Sequence, residues 1–355
     1  MSDALRLDTC LDQIASQLPA LTASCRVVEA LAGAARQIAH LLARGPLSGD
    51  LGAVIGESLD GDGQKALDAI THALVREAVI ASGAAAFASE EAAAPEWLDP
   101  VGEVAVAVDP LDGSSNIDTL APVGTIFSIL PARHASGADP ASPFLQTGRR
   151  QLAAGFFIYG PRTALAVTFG NGTRIFTLDP VSGAFLAPAP PATVPAATRE
   201  YAINGSNLRH WEEPIRDYIV ELKQGRNGPR GIDFNTRWLA SMVGDAFRIL
   251  GRGGIYLYPA DERQGYEAGR LRLVYEANPI AFLMEQAGAS ATDGRIPILD
   301  LQPAHIHQRC PLVFGSADEV RRVAQAYERA GQPSSPLFRR RSLFRSTSNV
   351  AELFA

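Results

Sequence analysis

Apolar residues recur at helical spacing over residues 20–44, through Leu21, Val28, Leu31, Ile38, Leu41 and Leu42, and stop at Gly45-Pro46. That period and that ending predict a helix. The pattern repeats over 68–82 through Ile70, Leu74 and Val79, predicting a second helix. Residues 103–108 are short and β-branched, the pattern of a strand, and they end at Asp109-Pro110. Further strands are expected over 125–130, 151–159, 163–169 and 174–178, with turn chemistry at Gly170-Asn171-Gly172. Beyond residue 200 the periods alternate. Strands are expected at 201–204, 254–257, 271–275 and 312–315, and helices at 211–224, 237–250, 279–287 and 317–330.

The proline- and alanine-rich stretch 184–197 is the best candidate boundary between these regimes. Before it the pattern suits a mixed α+β fold; after it, an α/β layer. The expected division is 1–190, 191–335 and a basic tail, 336–355, which begins near Arg339-Arg340-Arg341. No internal repeat is visible.

Composition narrows the class. Hydrophobic residues make up 46% of the 355 and charged residues 20%, as in a globular protein with a substantial core. The longest apolar stretch, 152–169, is broken by Tyr159-Gly160-Pro161-Arg162 and cannot span a bilayer. No basic patch followed by an apolar run opens the chain, and Cys10, Cys25 and Cys310 lack metal-type spacing, so a cytoplasmic location is expected. Net charge is −6 but unevenly spread: residues 1–120 carry 18 acids against 6 bases, while the rest is positive and almost lysine-free. An acidic chain is a poor nucleic-acid binder. Its acidic third can hold divalent metal, and its arginines can hold anions.

The densest chemistry is Val108-Asp109-Pro110-Leu111-Asp112-Gly113-Ser114-Ser115-Asn116-Ile117-Asp118, directly after a predicted strand. Asp109 and Asp112 are expected where that strand ends, close enough to repel unless a cation lies between them. With no His or Cys nearby, such oxygen ligands favour Mg²⁺ or Mn²⁺ over zinc. Gly113-Ser114-Ser115 would follow as a helix mouth or backbone nest offering N–H groups to a phosphate. Ser89-Glu90-Glu91 taken alone reads as a solvated loop, and Asp68 as a helix cap. Asp62 lies in Gly61-Asp62-Gly63. Glu276, between a buried-looking strand and a helix, needs a partner or a cation.

At these residues the chain resembles class I fructose-1,6-bisphosphatases. Asp109-Pro110-Leu111-Asp112-Gly113-Ser114-Ser115 is similar to the hallmark of metal-dependent, lithium-sensitive sugar and inositol phosphatases, and residues 269–281, Gly-Arg-Leu-Arg-Leu-Val-Tyr-Glu-Ala-Asn-Pro-Ile-Ala, to the class I signature. Gly124-Thr125-Ile126-Phe127, Leu152-Ala153-Ala154-Gly155, Ser241-Met242-Val243 and residues 253–259 match in order. Inositol monophosphatases differ downstream, where Tyr275-Glu276 decides for the bisphosphatase. The resemblance implies a layered α-β-α-β-α sandwich, usually a homotetramer, that hydrolyses the 1-phosphate of fructose 1,6-bisphosphate in gluconeogenesis or the Calvin cycle. It implies two or three Mg²⁺ per subunit, with Mn²⁺ an alternative. Glu90, Asp109, Asp112, Glu276 and the Leu111 carbonyl would be ligands; Asp62, Asp68 and Glu91 would orient or deprotonate water. Asp112, Gly113, Ser114 and Ser115 would meet the 1-phosphate. Asn204, Tyr258 and Arg270 would hold the sugar and 6-phosphate, with Arg237 contributed by a neighbouring subunit. The first domain would thus bind metal and 1-phosphate, the second the sugar and 6-phosphate.

Departures from the family pattern open alternatives. Trp238 and Asn207 replace common tyrosines and Arg270 a common lysine, which brings in sedoheptulose 1,7-bisphosphate as a second substrate. Glu103-Val104 and Leu130-Pro131 stand where AMP-inhibited relatives carry nucleotide-binding residues, so weak or no AMP inhibition is expected. Residues 131–150 contain no cysteine, so no plastid-type redox switch is expected. A catalytically silent sugar-phosphate-binding relative would have lost at least one of the seven carboxylates. None is lost.

Overall fold

A computed structural model describes residues 4–48, 54–57, 63–132, 139–188 and 190–331. Asp62 and the tail 336–355 lie outside the described residues. Among the described residues the main feature is a nine-stranded sheet. Its order is Leu5–Arg6, Phe185–Ala187, Thr173–Leu178, Ala164–Thr168, Ala153–Tyr159, Val123–Pro131, Val104–Asp112, Ala86–Ser89, Glu96–Trp97. All its pairs are antiparallel except Ala86–Ser89 with Val104–Asp112. Strand periodicity sends alternate side chains to opposite faces. Phe157 and Tyr159 pack on one face beneath the helices Leu7–Gln17, Thr22–Arg44 and Ala66–Ala81, while Ala154 and Phe156 face the other way.

That other face meets a middle layer, the helices Met242–Arg252 and Asn278–Gln286. The second sheet runs Asn235–Thr236, Glu200–Ala202, Ile255–Tyr258, Leu312–Gly315, Ser290–Thr292. It covers the middle layer through Tyr256 and Phe314 and carries the helices Glu213–Gln224 and Ala317–Gly331 outside. The layers are therefore α-β-α-β-α, as expected from the resemblance.

Several expectations need correction. The 237–250 helix begins only at Met242; Ser241 caps it by accepting the Gly244 N–H, and Ala240 before it adopts φ 56°. The 271–275 strand is only Leu271–Arg272, after which Leu273–Ala277 winds into a single π turn. Residues 185–187, at the start of the proline-rich stretch, pair in the first sheet and fall within the expected first division, 1–190. Ala86–Ser89 is a buried strand, so the alanine-rich segment is not a loop until Glu90. The helix Leu7–Gln17 was not expected from the pattern.

Candidate active site

Small side chains set the depth of the site. Ala105 and Ala107 of the central strand and Ala86 and Ala88 of its parallel neighbour leave room on one face for Val274 and Tyr275. The π turn thus packs directly on the sheet and delivers Glu276 to the strand that carries Asp109. A π turn inside or beside a helix is a recurrent way to aim one functional side chain. Asp109 and Asp112 lie within the strand rather than beyond its end. The register passes from Asp109 opposite Ile126 to Asp112 opposite Gly124, so one extra residue bulges between them. The bulge holds both carboxylates inward: both are buried, and Leu111 between them donates its N–H to Asp109 Oδ1 at 3.0 Å.

Two glycines make the approach possible. Gly113 turns the chain at φ 79°, a left-handed conformation, into the 3₁₀ turn Ser114–Thr119. A Cβ at Gly124 would lie 2.4 Å from the Phe157 carbonyl and 2.8 Å from the Val243 methyls. Without one, the start of the Met242–Arg252 helix reaches the motif. The Val243 N–H donates to Asp112 Oδ2 (3.0 Å), and Asn116 Nδ2 to the Ala240 carbonyl (2.8 Å).

The carboxylates converge. Glu90, Asp109 and Glu276 each offer an oxygen within 4.8 Å of the others. Burial, then the neighbouring charges of Glu90, Asp112 and Glu276, pushes Asp109 well above the usual carboxylate range. Burial and the charges of Glu90 and Asp112 do the same to Glu276, and burial pushes Asp112 up to about 6. Such a cluster is costly when ionised unless a cation joins it. Three hard oxygen donors suit Mg²⁺, Mn²⁺ or Ca²⁺ rather than zinc, so the residues fit a divalent metal of that class.

The other predicted residues are placed in different ways. Asp68 is buried inside the first turn of the helix Ala66–Ala81 rather than at its cap. Glu91 is half-buried, and its N–H donates to Ser89 Oγ, which also meets His72 Nδ1 at 2.9 Å. Ser114 is half-buried and Ser115 exposed at the turn's opening. Asn204 is exposed and accepts the Ser206 N–H. Tyr258 ends its strand half-buried, and the Arg270 charge opposes the rise that burial gives its pKa. Arg237 is exposed and sits 3.6 Å from Glu200. Trp238 stacks on Tyr256, ring centroids 5.5 Å apart, and the stack continues to Phe314.

The sequence model of the N-terminal domain of fructose-1-6-bisphosphatase matches residues 10–190, and that of the C-terminal domain residues 194–328. The chain belongs to the fructose-1,6-bisphosphatase family. A protein of Azorhizobium caulinodans named fructose-1,6-bisphosphatase class 1 is 52% identical over 90% of this chain and 98% of its own. One of the same name from Paracoccus denitrificans is 50% identical over 90% and 94%. The crystal structure of Leishmania major fructose-1,6-bisphosphatase in holo form superposes with a TM-score of 0.84 at 30% identity, over 92% of this chain and 99% of that one. The fructose-1,6-bisphosphatase family is metal-dependent, in keeping with the acidic trio. No helix among the described residues is long and apolar enough to cross a membrane.

Sequence reasoning missed one charged member of the site. Arg272 is buried against the cluster: its Nε lies 3.3 Å from Glu90 Oε1, its backbone N–H donates to Glu276 Oε2 at 2.5 Å, and Nη1 reaches the His307 carbonyl. The signal was a lone arginine between two leucines in a segment otherwise reading as buried. The Val243 N–H was also missed, because a backbone group leaves no compositional trace.

Proposed function

We propose that this chain hydrolyses the 1-phosphate of fructose 1,6-bisphosphate to fructose 6-phosphate and phosphate, as a Mg²⁺-dependent phosphoric monoester hydrolase of carbohydrate biosynthesis. The single observation that carries the reading is the convergence of the half-buried Glu90 with the buried Asp109 and Glu276 beside Asp112. These side chains and the Leu111 carbonyl would hold two or three Mg²⁺ ions, with Mn²⁺ an alternative. Bound there, the metal supplies a Lewis acid for the phosphoryl oxygens and a nucleophilic water at neutral pH. Asp68 and Glu91, with Asp62, orient that water and accept its proton. Gly113, Ser114 and Ser115 hold the phosphoryl group in line from the mouth of the turn, next to Asp112. Tyr258, Asn204 and Arg270 grip the sugar and its distal phosphate, Arg270 through a planar fork suited to it.

The same reading divides the labour at the proline-rich boundary, with 1–190 serving metal and 1-phosphate and 191–335 the sugar end. It also includes a cytoplasmic homotetramer in which Arg237 serves a neighbouring subunit's site. A second substrate, sedoheptulose 1,7-bisphosphate, is favoured by Trp238. Its ring is occupied in a stack on Tyr256, where a tyrosine hydroxyl would otherwise select the distal phosphate. Phosphate release from both bisphosphates, with and without Mg²⁺, tests the proposal. Release only with Mg²⁺ supports it; no release from either sugar overturns it.

A further inference from the structure

The loop leading to Arg270 closes on one side chain. From Asp261 to Gly269 the chain turns between the strand Ile255–Tyr258 and Leu271, and Tyr266 is the hub of that turn. Its carbonyl accepts the N–H groups of Asp261 (3.2 Å) and Gly269 (2.9 Å), and its own N–H donates to the Arg263 carbonyl (2.9 Å). The Glu262 N–H bonds to the His210 carbonyl, which ties the loop to the turn that begins after Asn204. The half-buried Tyr266 ring carries two guanidinium groups. The Cζ of Arg263 lies 4.1 Å from its centroid and that of Arg270 4.7 Å. Arg263 is also held through its Nε by Asp261, at 2.9 and 3.1 Å.

An arginine at the end of a flexible stem gains little from a phosphate if it must be immobilised at the moment of binding. An aromatic face beneath the guanidinium removes that cost beforehand, by attraction of the cation to the ring and by stacking of two planes. Two cations at one ring repel each other, and Asp261 offsets the charge of one of them. We infer that Tyr266 is a positioning residue for the distal phosphate of the sugar. Its ring holds the Arg270 guanidinium ready to grip the phosphate, and the Asp261–Arg263 pair steadies the ring. The inference rests on the reading of Arg270 as a phosphate ligand proposed above.

Steady-state phosphate release from fructose 1,6-bisphosphate by the full-length, Mg²⁺-loaded enzyme tests it, in wild type, Tyr266→Leu, Tyr266→Phe, Arg270→Ala and the Tyr266→Leu/Arg270→Ala double variant. Tyr266→Leu should raise KM about threefold to tenfold while kcat changes less than twofold, a range set by the strength of a partly desolvated cation–ring contact. Tyr266→Phe keeps the ring and should restore KM to within twofold of wild type. The double variant should be no worse than Arg270→Ala alone, because the ring then has nothing to position. Should the leucine variant not fold, Tyr266→His supplies a smaller ring with an intermediate KM. An equal rise in KM from Tyr266→Leu in both backgrounds overturns the inference, as does a phenylalanine variant as impaired as the leucine one. If Arg270→Ala raises KM and Tyr266→Leu does not, only the role of Tyr266 falls. If Arg270→Ala leaves KM unchanged, the phosphate clamp falls and the inference with it.

Discussion

The two ends of the site are built on opposite principles. At the acidic end, charge is buried on rigid strands: Asp109 and Asp112 in the central strand and Glu276 on a turn packed against it. At the arginine end, charge lies nearer the surface on a loop, with the half-buried Arg270 against the Tyr266 ring. The acidic end bears a desolvation cost when ionised, which a cation or protonation relieves. The arginine end bears little strain and depends on pre-arranged side chains. On the proposed reading, the first kind of site serves the transferred phosphoryl group and the second the far end of the sugar.

If that contrast is right, substitutions at the two ends should separate kcat from KM. Asp109→Asn should lower kcat by about 10²-fold or more at saturating Mg²⁺. The same change should raise the melting temperature of the metal-free protein, because it removes a buried charge from a repelling cluster. Near wild-type turnover in this variant would place the chemistry elsewhere.

The next effect is linked to pH. The carboxyls of Asp109, Asp112 and Glu276 have folded-state pKa values raised above those of the unfolded chain. Below the unfolded values, near 4, all are protonated in both states and carry no penalty. As pH climbs through the folded values, about 6 for Asp112, the unfolded state releases protons first and the metal-free fold loses stability. The increment in melting temperature produced by Mg²⁺ should therefore grow between pH 5 and pH 8, and an increment independent of pH would contradict the cluster's electrostatics. Scanning calorimetry with and without chelator measures it.

A smaller effect concerns the seam between the two ends. Gly124→Ala forces a methyl against the Phe157 carbonyl and the Val243 side chain, and should destabilise the fold by about 1–3 kcal/mol in denaturant titration. Mg²⁺ affinity should fall with it, since Val243 is displaced from Asp112. Arg270→Lys at the arginine end should raise KM about threefold with kcat retained, because a point charge replaces a fork. Smallest of all is AMP. Glu103 is exposed beside the buried Val104, and micromolar AMP should inhibit by less than about twofold, since a carboxylate there repels the nucleotide phosphate.

The acidic end was the more legible of the two in the sequence, for a physical reason. Asp109 to Ser115 are contiguous, so their chemistry survives as a string. Glu276, 164 positions after Asp112, could be read locally only as an acid in need of a partner or a cation; the family resemblance supplied the partners. Strands rich in valine and phenylalanine were found, whereas Ala86–Ser89 was hidden because alanine has low strand propensity and its use here is to leave space. Leu271 to Tyr275 misled for the opposite reason. A fully buried π turn shows the same run of apolar residues as a buried strand. The false helix start at 237 reflects Trp238 and Leu239, whose apolar side chains belong to the aromatic stack and the surface rather than to a helix face.

Asp112 accepts from Val243, 131 positions later in the chain, and Arg272 reaches back 182 positions to Glu90. Contacts of such long range close late in folding, since the intervening chain must first be ordered. A growing polypeptide that has emerged only through residue 190 already carries Glu90, Asp109 and Asp112, but neither Glu276 nor the Val243 N–H. Such a fragment lacks one of the three carboxylates of the acidic trio. The acidic trio is thus complete only once the C-terminal half has docked on the first sheet.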